Sequence, residues 1–551
     1  MARQSTTPVS FKKSQRRDTS VTMSSARAGV VVPVGFLPLL PGDSASGRVG
    51  VDVALKEMPK PLLNAVHANI QAWFVPKSAF PKFVSRDEVT FSMAGETIKS
   101  LGQPDRAPPP YFDVSAVNPA AYKNGLFYKT LGLHIPTGGK VNSDLNDAFT
   151  LIYNFRLAAH SSRLPRRLYV AEGGTTQQTL PPAFWPSSRL AKVVPDYERA
   201  LVIGSLDLDV AAGKVPVNGI GFTEATNTAA GVNRTVWESG GATQTTYADS
   251  ALVSDNDLRI AFETGASGIR PLIFAEFGGE SVNVSLADID KARTTQAFAK
   301  LRTAYAGNDA TGFDNDDALV AMLMQGLSVP EDQFKRPWLL DSKRVPVGFA
   351  ERFATDSANL DASVTLGRAS ASLSLNVPQQ DVGGVIIFTV EVLPERVDER
   401  MADPYILAEK FDDLPNALRD IQRVEPVDLV QNKRIDAAHT SPDGLYGYEP
   451  MNEKWNRNFT RLGGDFYQPT PGAGWTENRS AIWQTEIVNP TFSATHYLAP
   501  VPFPHDVFAD MNADAFEFVC RHDVRIVGLT QIGDVLAENN DDYEAIEGAG
   551  K

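Results

Sequence analysis

Seven histidines (His67, His134, His160, His439, His496, His505 and His522) and a single cysteine, Cys520, are the side chains of this 551-residue sequence best suited to metal or thiolate chemistry. None of the histidines sits in an HExxH pattern or pairs with carboxylates at ligand spacing, so a zinc hydrolase has no support. Cys520 and His522 lie two apart in an alternating stretch and share a face, a spacing compatible with a thiolate pair. Cys520 also continues the apolar alternation of Phe516 and Phe518, and burial as a small hydrophobe is the usual fate of such a cysteine. Gly138-Gly139-Lys140 imitates a phosphate loop, but His134 stands where that motif needs glycine and Val141 where it needs Ser or Thr, which leaves a turn. No GxSxG elbow occurs. Asp314, Asn315, Asp316 and Asp317 lack the glycine of a calcium loop and read as an acidic helix start. Paired carboxylates for glycoside hydrolysis depend on placement in space and stay open. The reading is that the chain is not an enzyme and carries no cofactor or metal.

Charge is more informative. The net charge is -14, yet Arg3, Lys12, Lys13, Arg16, Arg17 and Arg27 face only Asp18 in the first thirty residues. The opposite end is acidic, with Asp534, Glu538, Asp541, Asp542, Glu544 and Glu547 against Lys551. An acidic body with a basic arm suggests that the two ends meet different surroundings. Arg3, Lys12, Lys13, Arg16 and Arg17, with Phe11 as the only nearby aromatic, suit phosphate neutralisation without base reading. Two further patches mix cations with rings: Arg163, Arg166, Arg167 and Tyr169, then Lys454, Trp455, Arg457, Phe459 and Arg461. Stacking plus charge suits single strands, and the same residue types are enriched in subunit interfaces.

The elements that must position these residues are mostly strands. Val49, Val51, Val53 and Leu55 alternate with polar or small residues after a Leu40-Pro41-Gly42-Asp43 turn, where Pro presets φ and Gly supplies the positive φ of a type II turn. Val66 to Val75 alternates again, and later strands are expected at Ala369–Val377, Val385–Leu393 and Phe516–Val527. Helices are expected over 145–160, Ser285–Ala306 and Asp316–Gln325. Residues 404–436 read as helical or irregular, 445–470 as aromatic loop, and the Gly/Ala/Thr/Asn-rich stretch 213–268 as an exposed insertion. With 41 Gly and 37 Pro, this describes one β architecture closed by both termini and interrupted by long insertions. The most apolar stretch, Val30–Leu40, falls short of the roughly 20 residues of a membrane span, and the N-terminus lacks the apolar core of a secretory signal. One cysteine permits no internal disulfide.

Several segments then resemble the major capsid protein of microviruses, small tailless phages with single-stranded DNA, and the gokushovirus-like branch in particular. The resemblance runs through DTSVTMSSARAGVVVPVGFLPLLPGD (Asp18–Asp43) and VHANIQAWFVPKSAF. Its most specific part is the block Ile289–Pro337, with Arg293, Gln296, Leu301, Met324-Gln325-Gly326, Val329-Pro330 and Arg336-Pro337 in order. YGYEP at 446–450, followed by Trp455 and Arg457, is similar as well. The chain departs from the family in reduced aromatic content around the second and third strands and in the weakly similar region 404–436.

The resemblance implies a single viral jelly roll, an eight-stranded β-sandwich with long, partly helical insertions. On that scheme residues 1–28 are a basic arm, 29–100 the first jelly-roll strands, 101–345 insertions including the exposed loop 213–268, and 346–551 the remaining strands, loops and acidic tail. It further implies a T=1 shell of sixty copies around circular single-stranded DNA, assembled in a bacterial cytoplasm and found in the virion. Arg3, Lys12, Lys13, Arg16 and Arg17 would line the interior as sequence-independent phosphate contacts, and the insertion would take part in host attachment. A host surface receptor, a DNA pilot protein and a small internal or scaffolding protein are the further partners implied. The competing readings are a jelly-roll carbohydrate hydrolase with an aromatic cleft around Trp455, Tyr467 and Trp475, and a receptor-binding β protein.

Overall fold

In the computed structural model, the described residues are 12–80, 116–117, 125–136, 141–170, 179–196, 336–353, 363–423, 427–456, 460–467 and 480–533, apart from 162, 186–188 and 381, with Gly326 and short strands between 207 and 283. The alternating segments become strands of two antiparallel sheets: β1 (Ser14–Ala26), β2 (Val32–Leu39), β3 (Ser44–Leu55), β4 (Val66–Pro76), β5 (Trp338–Pro346), β6 (Gly348–Phe353), β7 (Ser363–Val377), β8 (Gly384–Pro394) and β9 (Phe516–Gly528). One sheet has the order β1-β9-β3-β7-β6 and the other β5-β4-β8-β2, so the protein is mainly β with few helices. Most successive strands alternate between the sheets, and β9, from the end of the chain, inserts between β1 and β3.

The core lies between the sheets. Val49, Val51 and Val53 of β3, Leu373 and Leu375 of β7, and Phe516, Phe518, Val524 and Ile526 of β9 pack in one cluster with Leu37, Leu39, Ile70, Phe74, Ile386 and Phe388. Each such side chain contributes roughly 1.5–3 kcal/mol by leaving water. Gly42 takes φ +84° in the turn before β3, and Asp43 N donates to Leu40 O at 3.0 Å, as the sequence implied.

Along β8 every residue is buried, because both its faces are covered. The outer cover is the helix α2 (Asp144–His160), preceded by the short α1 (Leu126–Thr130). Asn142 Oδ1 accepts the Asp144 N–H at 3.1 Å, and Asp144 and Asp147 place negative charge in the first turn of α2. Phe155 meets Trp73 of β4 edge-on, with ring centroids 6.0 Å apart. The next residue, Arg156, forms an ion pair with Glu391 of β8 and lies over the Phe184 ring at 4.1 Å. Lys77, fully buried just after β4, pairs with Asp144, and burial moves both toward their neutral forms, Lys77 downward and Asp144 upward.

Several expectations need correction. Residues 14–26, placed in the basic arm, form an edge strand paired with β9 over its whole length, from Ser14↔Gly528 to Ala26↔Phe516. This happens because each odd-numbered side chain can face water while the even ones meet the rim of the core. Strand β5 lies inside 101–345, the segment assigned to insertions, so sandwich strands resume at Trp338. The loop reading of 445–470 fails at Leu445–Pro450, which pairs with Val427–Gln431. The helix over 145–160 is present as α2. The helices at Ser285–Ala306 and Asp316–Gln325, the Asp314–Asp317 cluster, Gly138-Gly139-Lys140 and nearly all of the 289–337 block lie outside the described residues.

Residues 199–299 form a second compact unit. Its backbone pairs are nested: Asp207–Asp209 with Ser281–Asn283, Gly213–Val217 with Ile273–Phe277, Gly221–Phe222 with Leu258–Arg259, and Arg234–Trp237 with Gln244–Tyr247. The segment 213–268 thus belongs to an interrupted antiparallel excursion that runs out and returns.

Candidate nucleic-acid interface

The basic residues singled out in the sequence part company in the structure. Arg3 lies outside the described residues. Lys12 and Lys13 precede β1 and are exposed, Lys13 Nζ donating to Gln379 Oε1 at 2.6 Å. Arg16 turns inward to Asp43, a carboxylate with no exposure, and donates Nη1 to Oδ1 at 3.0 Å while Nη2 meets Oδ2. Asp43 also accepts the Leu40 N–H at 2.7 Å, so Arg16 ties β1 to the β2–β3 turn. That engagement is the physical reason Arg16 does not serve as an open phosphate contact. Arg17 faces outward and pairs with Asp523 of β9.

Around Arg17 the outer face of the larger sheet carries a charge pattern that depends on strand register. Arg17 stands opposite Arg525, and Arg525 opposite Ser46. One step along, Asp523 stands opposite Arg48, and Arg48 opposite Ser374. Asp523 therefore lies among three arginines by register and pairs with one of them, Arg17. The Arg17 hydrogen bond and charge hold its carboxyl below the usual carboxylate range. Further along, Arg521 reaches Asp52 at 3.5 Å, and Ser370 Oγ donates to the same carboxylate at 2.6 Å. Among the described residues, Arg48, Arg525 and Arg368 have no ion-pair partner, and all three are exposed. Ser44, Ser46, Ser370, Ser372, Ser374 and Asn376 add short hydrogen-bonding groups to this face, and Val21 and Met23 of β1 add exposed apolar ones. The result is a flat surface of five arginines against Asp52, Asp523 and Glu517, on a chain that is acidic overall.

Exposed arginines of this kind are suited to phosphate contacts made by displacing counterions. Arg48, Arg368 and Arg525 are the residues that sequence reasoning missed. The first cation–aromatic patch is divided, with Arg163 in a surface ion pair with Asp196 and Arg167 turned inward. Arg167 is buried, donates to Thr179 O at 2.8 Å, lies over Phe149, and is pulled down to about 10 by burial. Tyr169 is buried with it. In the second patch Arg461 pairs with Asp403, Tyr467 is exposed, and Arg457, Phe459 and Trp475 lie outside the described residues.

Chemistry of the catalytic kind finds little footing. Cys520 is buried between the sheets and burial raises its thiol to about 12, far from a thiolate at neutral pH. His522, on the same face, receives its polar contact from Asp18 at 2.9 Å. Among the described residues no group of three His, Cys, Asp or Glu side chains is arranged to hold a metal ion, and no helix is long and apolar enough to cross a membrane.

Two further titration shifts bear on stability. Burial pushes Glu486 up to about 8, with Glu399 adding to the rise and Arg400 opposing it. Burial, helped by Arg396, lowers His496 to about 4. Glu486 contributes stability that is full below its ordinary 4.5 and is lost as pH climbs through 8. His496 contributes stability that is present above its ordinary 6.5 and is lost as pH falls through 4. The two oppose each other below 6.5, so denaturant melts should show stability declining between pH 6.5 and 8. Glu486→Gln should flatten that decline; an equally steep slope in the variant would refute the assignment.

No known protein-family model matches this chain, and no curated protein matches it.

Proposed function

We propose that the chain is the subunit of a closed viral shell, built on a single jelly roll and enclosing single-stranded DNA. The observation that carries this reading is the strand order. With β6 set aside, the remaining strands form two four-stranded sheets, β1-β9-β3-β7 and β2-β8-β4-β5. This order suits two interlocked Greek keys, an architecture used by viral capsid domains as well as by lectins and cupins. The charge pattern favours the capsid among these, because a sheet face carrying Arg17, Arg48, Arg368, Arg521 and Arg525 suits a polymer of phosphates. The resemblance to microvirus capsid proteins points the same way and adds a T=1 assembly of sixty copies around circular DNA, host attachment through the 213–268 insertion, and pilot and internal proteins as partners.

In this reading the work is done by association rather than by bond-making. Contacts related by rotation close on themselves and limit the particle's size. The outer face of the larger sheet and Lys12, Lys13 and Arg17 neutralise the enclosed phosphates. The test is negative-stain electron microscopy with light scattering on the purified chain, alone and with circular single-stranded DNA. Uniform closed spheres are expected. A chain that stays monomeric in both conditions overturns the shell.

A further inference from the structure

From Tyr405 to Arg423 no residue is buried, although the segment is rich in large apolar side chains. Ile406, Phe411, Leu418 and Ile421 are 80%, 78%, 77% and 82% exposed. Tyr405 and Leu429, the latter on the neighbouring strand Val427–Gln431, are also exposed. Leu407 and Leu429 line the same open cleft of about 350 Å³.

The segment nevertheless has built structure. Asp413 accepts the backbone N–H groups of Glu409 and Lys410, each at 2.9 Å. Asn416 caps the short helix Ala417–Ile421 by accepting from Leu418 and Arg419. The strap is pinned to its surroundings by Arg423–Asp428 at 2.7 Å, by Asn452 Nδ2 donating to Asp420 at 2.8 Å, and by Arg461–Asp403. A backbone held this firmly, with apolar side chains that find no core among the described residues, is suited to packing against another molecule.

We infer that residues 405–423 are an intersubunit strap that docks on a second copy of this chain. Two observations select that occupant. The exposed apolar side chains together present roughly the 800 Å² that one partner contributes to a standard interface. The strap is also nearly balanced in charge, with Lys410, Arg419 and Arg423 against Glu409, Asp412, Asp413 and Asp420, and Arg419–Asp412 and Arg423–Asp428 are paired, so two copies meet without strong like-charge repulsion. A strongly charged partner such as nucleic acid would meet both signs of charge here, Lys410 and Lys454 beside Glu409 and Asp413. The inference rests on the self-assembling reading above and adds the surface that mediates it.

The test compares the full chain with the triple variant Ile406→Ser, Phe411→Ser and Ile421→Ser by sedimentation velocity over a concentration series, with near-UV circular dichroism and melting to check the fold. The expected result is an unchanged fold and subunit association weakened by roughly a hundredfold or more, as loss of central apolar anchors produces. Shells that form as readily in the variant overturn the strap and leave the shell standing. A wild type that stops at a discrete small oligomer, which the variant breaks, supports the strap and overturns the closed shell. A wild type that is monomeric at every concentration overturns both. Should the variant misfold, hydrogen exchange on wild type decides: amides of 405–423 should exchange more slowly in the assembly than in the dissociated subunit, and equal rates refute the inference.

Discussion

Replacing Arg156 with Met should lower the unfolding free energy by about 3–5 kcal/mol, the range for breaking a buried ion pair and stranding its partner. Glu391 sits in the middle of β8, its side chain 2% exposed, and Arg156 of α2 is its charged partner. The other polar contact is long, Asn69 Nδ2 at 3.5 Å, and cannot replace a guanidinium. The double variant Arg156→Met and Glu391→Leu should recover most of the loss, since apolar residues of similar volume often substitute for such a pair without penalty. Urea denaturation near neutral pH measures both. A single-variant loss below about 1 kcal/mol would place the pair with solvent-screened surface bridges and refute its role in clamping α2 to the sheet.

The second large effect concerns DNA. Changing both Arg48 and Arg525 to Gln should make log K for single-stranded DNA fall less steeply with log salt, by about 1.4 in slope, from roughly 0.7 per lost phosphate contact. The loss should be the same for oligonucleotides of different sequence, because contacts to phosphate carry no sequence information. Arg16→Gln supplies the contrast. It should cost stability, by stranding the buried Asp43, and leave the salt slope unchanged. A salt titration of fluorescence anisotropy on all three proteins separates these outcomes. A slope unaltered in the Arg48 and Arg525 variant would remove the sheet face from the DNA-binding surface.

Legibility followed the period of the strands. β3, β4 and β9 alternate cleanly because one face is buried and the other is not, and α2 carries an acidic first turn and a regular apolar side. β1 escaped detection because SQRRDTSVTMSSA is polar on both faces, as an edge strand tolerates. β5 escaped because it is largely exposed and its register shifts between Leu339 and Asp341, which breaks the alternation. The arginine cluster was illegible for a different reason. Arg17, Arg48 and Arg525 become neighbours only through the register of β9 between β1 and β3, and no local pattern encodes it. The partner of Arg16 is hidden likewise: Asp43 reads as a turn residue until β1 is laid beside it.

The position of β9 also sets a timetable. Before residues 516–528 leave the ribosome, β1 has no hydrogen-bonded neighbour in its sheet, and β3 lacks one of its two. Closing the sandwich therefore waits on pairings that span almost the entire chain, the kind of long-range contact that folds slowly. On the proposed shell reading, association waits on the same pairings, so chains that have not yet made β9 are kept from joining a particle.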